Sequence, residues 1–231
     1  MRTLFLLNPT AGKADCTRTL PQQINAAAAR AGLAPEEYTI QVTNHAGHAR
    51  ELANAAAQQA RQSGEELRVF TAGGDGTFNE MVSGLMQLDH PPVLGYIPFG
   101  STNDCATTLR LPRDPVKAAQ TASETGVPRP WDIGRLNGRP FVYVAAFGAF
   151  TEVSYDTPQD LKNTFGHLAY VMAGIASLPS ITPYHLRIEC DDQVLEDDFF
   201  YGMVCNTISV GGMKALPTDR VVLDDGLFEV I

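Results

Sequence analysis

Basic residues are scarce in this chain: 17 Lys+Arg stand against 26 Asp+Glu, a formal net charge of −9. Phosphate-backbone binding draws on clustered Lys and Arg, so nucleic acid is not an expected partner. Long apolar runs are missing too. The longest, such as residues 141–150, have strand length, well short of the ~18–20 residues that cross a bilayer. The opening Met1-Arg2-Thr3-Leu4-Phe5-Leu6-Leu7 meets Asn8-Pro9 too early for a secretory signal. Cysteine is limited to Cys16, Cys105, Cys190 and Cys205, with no C-x-x-C pair, and these read as buried or free thiols in a reducing cytoplasm. No Walker A loop, no G-x-G-x-x-G fingerprint and no G-x-S-x-G elbow occurs, which disfavours P-loop, Rossmann dinucleotide and hydrolase chemistry. What is present is ordinary globular composition: 231 residues, 44% hydrophobic and 19% charged, enough for one large domain or two modest ones.

The first ~125 residues alternate strand-like and helix-like patterns, which predicts a parallel α/β arrangement. Residues 4–7 form a short apolar run, broken by the turn Asn8-Pro9-Thr10-Ala11-Gly12. Leu20, Ile24, Ala27, Ala28 and Ala31 recur at helical spacing and stop at Gly32. Tyr38, Ile40 and Val42 alternate as a strand. Ala49, Leu52, Ala53, Ala56 and Ala60 make the next helical face, ending at Gly64. Strands over 67–72 and 93–97 run into Gly-rich loops, and Asp114-Pro115 opens one more helix.

Pro128-Arg129-Pro130 marks a boundary, giving an expected α/β domain over 1–127 and a mostly antiparallel β-sandwich domain over 128–231. In the second, Asn137-Gly138 predicts a hairpin, with strands expected over 133–136, 141–146, 184–190, 199–206 and 221–223. One helical insertion is expected over about 159–178. Leu227-Phe228-Glu229-Val230-Ile231 is a strand pattern with no polar tail after it, so the sequence reads as truncated at its C-terminus.

Chemistry concentrates in three loops. Gly73-Gly74-Asp75-Gly76-Thr77-Phe78-Asn79-Glu80 lies where a strand ends and a helix begins, the crevice in which open α/β sheets bind ligands. Its glycines allow close backbone approach, and N–H groups at a helix start suit phosphate oxygens. Asp75 supplies a carboxylate for Mg²⁺ or a proton, and Thr77 a hydroxyl. A plain Gly-rich turn explains one or two of the glycines but not the embedded Asp. Pro98-Phe99-Gly100-Ser101-Thr102-Asn103-Asp104 is the second loop, which alone reads equally well as a helix N-cap. The third, Asn8-Pro9-Thr10-Ala11-Gly12-Lys13, alone is balanced between a turn and a ligand loop.

Together these three elements resemble the diacylglycerol kinase catalytic-domain family, nearest to its bacterial lipid-kinase branch. Asp132-Ile133-Gly134-Arg135, Thr164-Phe165-Gly166-His167-Leu168-Ala169-Tyr170 and Asp225-Gly226-Leu227 resemble further family segments, so the likeness spans essentially the whole chain. The resemblance implies an ATP- and Mg²⁺-dependent lipid kinase, cytoplasmic and peripherally membrane-associated, with the nucleotide in an interdomain cleft. It implies nucleotide contacts from Asn8, Thr43, Gly73, Gly74, Asp75, Gly76, Thr77, Phe78, Asn79, Glu80, Gly100, Ser101 and Asn103. It implies a Mg²⁺ site at Val222, Asp225 and Leu227, linked through water to Asp132. The expected partners are a lipid alcohol, a transient membrane surface and a second copy of the chain. Family members place a Glu base in an Asp-Gly-Glu motif beyond the strand that matches residues 227–231; the candidate catalytic residue within this sequence is Asp75. NAD kinases share the G-G-D-G element, so NAD kinase and a non-catalytic nucleotide- or lipid-binding protein stand as alternatives.

Other candidates read more simply. His45 and His48, three apart near a helix start, are a possible metal pair, but no third ligand is expected nearby and they read as capping or solvent-exposed residues. Asp191-Asp192 and Glu196-Asp197-Asp198 lack EF-hand spacing and read as a turn and a solvated face. Leu168, Val171, Met172 and Ile175 favour core packing over a lipid channel. Arg135, Arg139, Lys162, Lys214 and Arg220 are the candidate basic patch for a membrane surface.

Overall fold

A computed structural model describes residues 2–12, 15–86, 88, 90–122, 126–148, 182–214 and 216–231. The helical insertion expected over about 159–178, Lys13 and Lys162 lie outside the described residues. The first half builds a sheet from β1 (Arg2–Leu7), β2 (Tyr38–Val42), β3 (Leu67–Gly73) and β4 (Val93–Pro98). All pairings in it are parallel, in the order β2-β1-β3-β4. The chain therefore winds outward from β1 to β2, then crosses back to β3, and the winding reverses between β1 and β3.

The apolar run at 4–7 is continuous because both faces of β1 are covered. Leu4 and Leu6 face one cluster with Val69 of β3 and with α2 (His48–Ser63) and α3 (Asp75–Leu85). Phe5 and Leu7 face another, with Phe70, Ile97, α1 (Leu20–Arg30) and α5 (Pro115–Gln120). On α2 the fully covered positions are Ala49, Ala53, Ala57 and Ala60, a stripe of small residues that lets α3 lie close. Gly64 ends α2 in the left-handed region at φ 70°. Asp114 caps α5 by accepting from the Lys117 N–H at 2.9 Å, with Pro115 at the first helical position.

Beyond residue 126 every strand pairing among the described residues is antiparallel. The expected hairpin forms from β5 (Gly134–Leu136) and β6 (Arg139–Phe141), turning at Asn137 and Gly138, both with positive φ. A three-stranded sheet joins β7 (Val144–Gly148), β10 (Tyr201–Cys205) and β13 (Glu229–Val230). β8 (Tyr184–Cys190) and β9 (Gln193–Phe199) form an exposed hairpin, turning at Asp191-Asp192 and carrying Glu196, Asp197 and Asp198 in solvent, as expected. The short pair β11 (Ser209–Val210) and β12 (Met213–Lys214) completes the set.

Three strand expectations change. The run at 141–146 splits between β6 and β7, because the Val142 N–H leaves the ladder for Asn79 Oδ1 (3.1 Å). The run at 199–206 breaks at Phe200, and Phe199 closes β9 instead. Residues 221–223 are not a strand: the Leu223 carbonyl accepts from Asp132 N (2.7 Å) and Asn206 Nδ2 (3.1 Å), not from a neighbouring strand. Val142, Trp131, Ile133 and Tyr143 pack on the α2–α3 cluster, so the antiparallel half rests on the face of the parallel sheet nearest α3.

Candidate active site

The winding reversal places the C-terminal ends of β1 and β3 side by side, and a ligand crevice is expected there. Three loops meet at that point. Asn8 N–H donates to the Ala72 carbonyl (2.9 Å), and Phe99 N–H donates to the Gly73 carbonyl (2.8 Å), so each sheet edge continues into the next loop. Gly100 and Gly74 touch backbone to backbone, and a side chain on Gly100 would collide with the Gly74 Cα. A Cβ on Gly12 would strike the Phe99 carbonyl, and Gly12 has φ 70°. These glycines are required by packing between loops as well as by any ligand.

The polar side chains of the loops mostly bind one another. Asn8 Nδ2 donates to Thr77 Oγ1 (2.8 Å), while its Oδ1 accepts from Thr10 N (3.0 Å) and Thr10 Oγ1 (2.9 Å). Asn103 folds back on its own loop: Oδ1 accepts from Gly100 N (2.8 Å) and Tyr96 OH (3.0 Å), and Nδ2 donates to Gly100 O (2.7 Å). Glu80 accepts from Gly47 N (2.9 Å), and Asn79 holds Val142. Phe78 is turned into the core, stacked on Tyr96 with ring centroids 4.7 Å apart. Thr43, at the end of β2, is buried and holds Leu7 O through its N–H (2.9 Å). Ser101 is exposed on the second loop, and Gly76 is exposed in the first turn of α3.

Two helices begin at this crevice, and their starts differ. α4 (Asp104–Thr108) is filled by protein: Asp75 Oδ2 accepts from Asp104 N (2.9 Å) and Asp75 Oδ1 from Cys105 N (2.9 Å). Thr102 Oγ1 adds a longer donation to Asp75 at 3.4 Å. Among the described residues α3 has no such partner. Its N-cap Gly74 has no side chain to offer, and the first-turn N–H groups of Asp75, Gly76 and Thr77 have no acceptor within the helix. A helix start of this kind, eleven residues long and beside a sheet reversal, suits an anion such as a phosphate.

Asp104, the last residue of the second loop, was read from the sequence as a carboxylate for the crevice, but its side chain instead joins the two halves of the chain. Its buried carboxylate accepts from Ser209 Oγ (2.6 Å), Gly211 N (2.8 Å) and Gly212 N (2.9 Å). Burial raises its pKa above 3.8, the Asp75 charge adds to the rise, and the Ser209, Gly212 and Gly211 donors oppose it. Beside it Thr108 and Thr207 share a hydroxyl–hydroxyl bond of 2.6 Å. The Gly211-Gly212 pair was the available signal, but nothing local shows that its amides face a carboxylate more than a hundred residues earlier.

The candidate metal residues sit in a separate loop. Val222, Asp225 and Leu227 are exposed there, and Asp225 Oδ1 accepts from Leu227 N (3.0 Å). Asp132 contacts this loop: its Oδ2 accepts from Gly226 N (2.6 Å) and its N–H donates to Leu223 O (2.7 Å). Nearby, burial raises the pKa of Glu229, the Asp225 charge adds to that, and its own backbone N–H opposes it. Asn206, also not anticipated, is fully buried between these segments.

His45 and His48 do have a third acidic neighbour, since Glu51 lies one turn along α2 and the three groups fall within 4.8 Å. The two rings stack at 4.6 Å and 23°, so their in-plane lone pairs do not converge, and His48 Nδ1 is taken by Asn44 N (3.1 Å). No helix among the described residues is long and apolar enough to cross a membrane.

The diacylglycerol kinase catalytic domain family model matches residues 2–136. A diacylglycerol kinase of Bacillus subtilis (strain 168) is 38% identical over 230 residues, which is 100% of this chain and 73% of that protein. One from Staphylococcus carnosus (strain TM300) is 37% identical, over 100% of this chain and 72% of its own length. The crystal structure of a diacylglycerol kinase from Bacillus anthracis str. Sterne superposes with a TM-score of 0.73 at 27% identity, covering 99% of this chain and 71% of that one. A further Bacillus anthracis str. Sterne crystal structure superposes with a TM-score of 0.80 at 29% identity, covering 99% and 72%.

Proposed function

The chain belongs to the diacylglycerol kinase catalytic-domain family, and from that premise we propose that it transfers the γ-phosphoryl group of ATP to the hydroxyl of a diacylglycerol-like lipid, at a membrane surface and with Mg²⁺. The observation that carries the reading is the uncapped start of α3 at the sheet reversal, opposite the filled start of α4. In this reading residues 1–127 hold the nucleotide and residues 128–231 face the lipid.

Phosphoryl transfer asks a protein chiefly to position the transferring group and to stabilise its charge. The N–H groups of Asp75, Gly76 and Thr77 supply donors fixed by α3, and Ser101 supplies a hydroxyl on the facing loop. Asp75 holds the second loop to the first through α4. Both of its oxygens accept hydrogen bonds there, so its role in this account is to set the distance between the two phosphate-facing loops. Asn8, Asn103 and Thr43 shape the same loops from behind.

The residues at 222–227 fit a hard divalent cation. Asp225, the carbonyls of Val222 and Leu227, and Asp132 are all oxygen donors, and the buried Asn206 Oδ1 beside them has no partner among the described residues. Bound Mg²⁺ would supply positive charge to this oxygen-lined loop.

The test is transfer of labelled γ-phosphate from ATP, with Mg²⁺, to mixed micelles containing diacylglycerol, with NAD in a parallel reaction. Label in a chloroform-soluble product is expected. Label in NADP, or in neither product, overturns the proposal.

A further inference from the structure

Asn206 is a polar side chain at zero exposure, directly after β10. Its backbone N–H donates to Tyr143 O (2.9 Å), fixing it to the segment before β7. Its side-chain Nδ2 then donates twice, to Leu223 O (3.1 Å) and to Asp132 O (3.4 Å). Leu223 O is the same atom that takes the Asp132 N–H. One amide therefore ties together the start of the 222–227 loop and the backbone of Asp132, whose carboxylate holds the far side of that loop at Gly226.

The other half of the amide is unused. Asn206 Oδ1 is buried and accepts no hydrogen bond from any described residue. The opposite amide orientation would set its carbonyl against two backbone carbonyls, so the orphan acceptor follows from the two donations. Buried polar atoms are almost always satisfied, by protein or by ordered water. Only a neutral amide meets this need. A carboxylate would repel the two carbonyls, and an aliphatic residue would leave both without a donor.

We propose that Asn206 is the positioning residue of the 222–227 cation loop: its Nδ2 sets the spacing of the Asp132 and Leu223 carbonyls, and its Oδ1 receives a hydrogen bond from water in that loop. The inference rests on the reading that this loop holds a divalent cation, and it adds a residue that the site does not otherwise include. Outer partners that orient a metal loop are worth about 10–100-fold in affinity.

The experiment measures Mn²⁺ binding to the whole chain by the loss of the free-ion paramagnetic signal, and binding of a fluorescent ATP analogue in EDTA. Wild type should bind Mn²⁺, Asp225→Asn should not, and Asn206→Ala should bind it about 10–100-fold more weakly with nucleotide affinity unchanged. A purely structural Asn206 would lower stability without separating the two affinities. Wild-type Mn²⁺ affinity in Asn206→Ala, with binding lost in Asp225→Asn, overturns the role of Asn206 alone. No Mn²⁺ binding by wild type, or full binding by Asp225→Asn, overturns the loop reading with it. If Asn206→Ala does not fold, hydrogen exchange of the wild type decides. Mg²⁺ should slow exchange in peptides covering both 222–227 and Asn206, and protection of 222–227 without Asn206 overturns the proposal.

Discussion

Gly76→Ala separates a phosphate site from a well-built turn. Gly76 is exposed at the second position of α3, its φ is not in the left-handed region, and a Cβ built on it meets nothing within 4 Å. Structure alone therefore predicts a gain, since Ala in a helix is better than Gly by about 0.5–1 kcal/mol. For a chain of this length that is about +1 to +4 °C in Tm. If the α3 start holds the triphosphate, the new methyl stands where phosphate oxygens must approach the backbone. Loss of one fixed donor to a developing charge costs about 10²–10³ in kcat in comparable sites. The predicted variant is thus more stable and at least about 10²-fold less active in labelled phosphate transfer. Higher Tm with wild-type turnover would refute the assignment of the phosphates to α3. Gly74→Ala makes a poor substitute, because its Cβ would lie 3.3 Å from the Gly100 Cα and confound packing with binding.

Asp75→Asn should lose stability as well as activity: the amide presents N–H to the N–H groups of Asp104 or Cys105, and an orphaned buried group costs about 1–3 kcal/mol. Urea unfolding checks this, and a wild-type midpoint would remove the clamp role. Asp104 has a folded-state pKa raised above 3.8, so its contribution to stability is fully present below that value and falls as pH rises through the raised one. The unfolding free energy of wild type minus that of Asp104→Asn should therefore decline as pH is raised above 3.8, and a rising difference would contradict the burial argument. Of the four cysteines, Cys16, Cys105 and Cys205 are buried and Cys190 is exposed. Burial pushes the Cys16 and Cys205 thiols up to about 11. Ellman's reagent on the native protein should then titrate one thiol quickly, lost in Cys190→Ser; two or more fast thiols would show that the core opens.

Patterns with a short reach were legible in the sequence. The helix ends at Gly32 and Gly64, the Asp114-Pro115 start, the Asn137-Gly138 hairpin and the four parallel strands all depend on residues a few positions apart. The three crevice loops were legible for the same reason, as each follows directly from a strand end. What the side chains in those loops do was not legible, because it is decided by distant partners. Asn79 is claimed by Val142, Glu80 by Gly47, and Asp104 by Ser209, Gly211 and Gly212. Loop residues of good ligand chemistry thus turn out to fasten the loops together, leaving backbone N–H groups as the free donors. The same logic hid Asn206, whose partners at 132 and 223 lie 74 and 17 residues away and come together only once the antiparallel half has folded. It also explains residues 221–223, where an apolar run reads as a strand but its carbonyl is committed to Asp132 and Asn206.

The most direct test of the central claim is a ¹⁵N-glycine amide spectrum of the wild-type chain, recorded with and without a non-hydrolysable ATP analogue and Mg²⁺. The account predicts that the amides of Gly74 and Gly76 shift strongly on nucleotide addition, with Gly100 following, while Gly64 and Gly138, on the far side of α2 and in the β5–β6 turn, stay in place. Unmoved Gly74 and Gly76 in a spectrum that shows binding elsewhere would contradict it, and would take the phosphate site away from the start of α3.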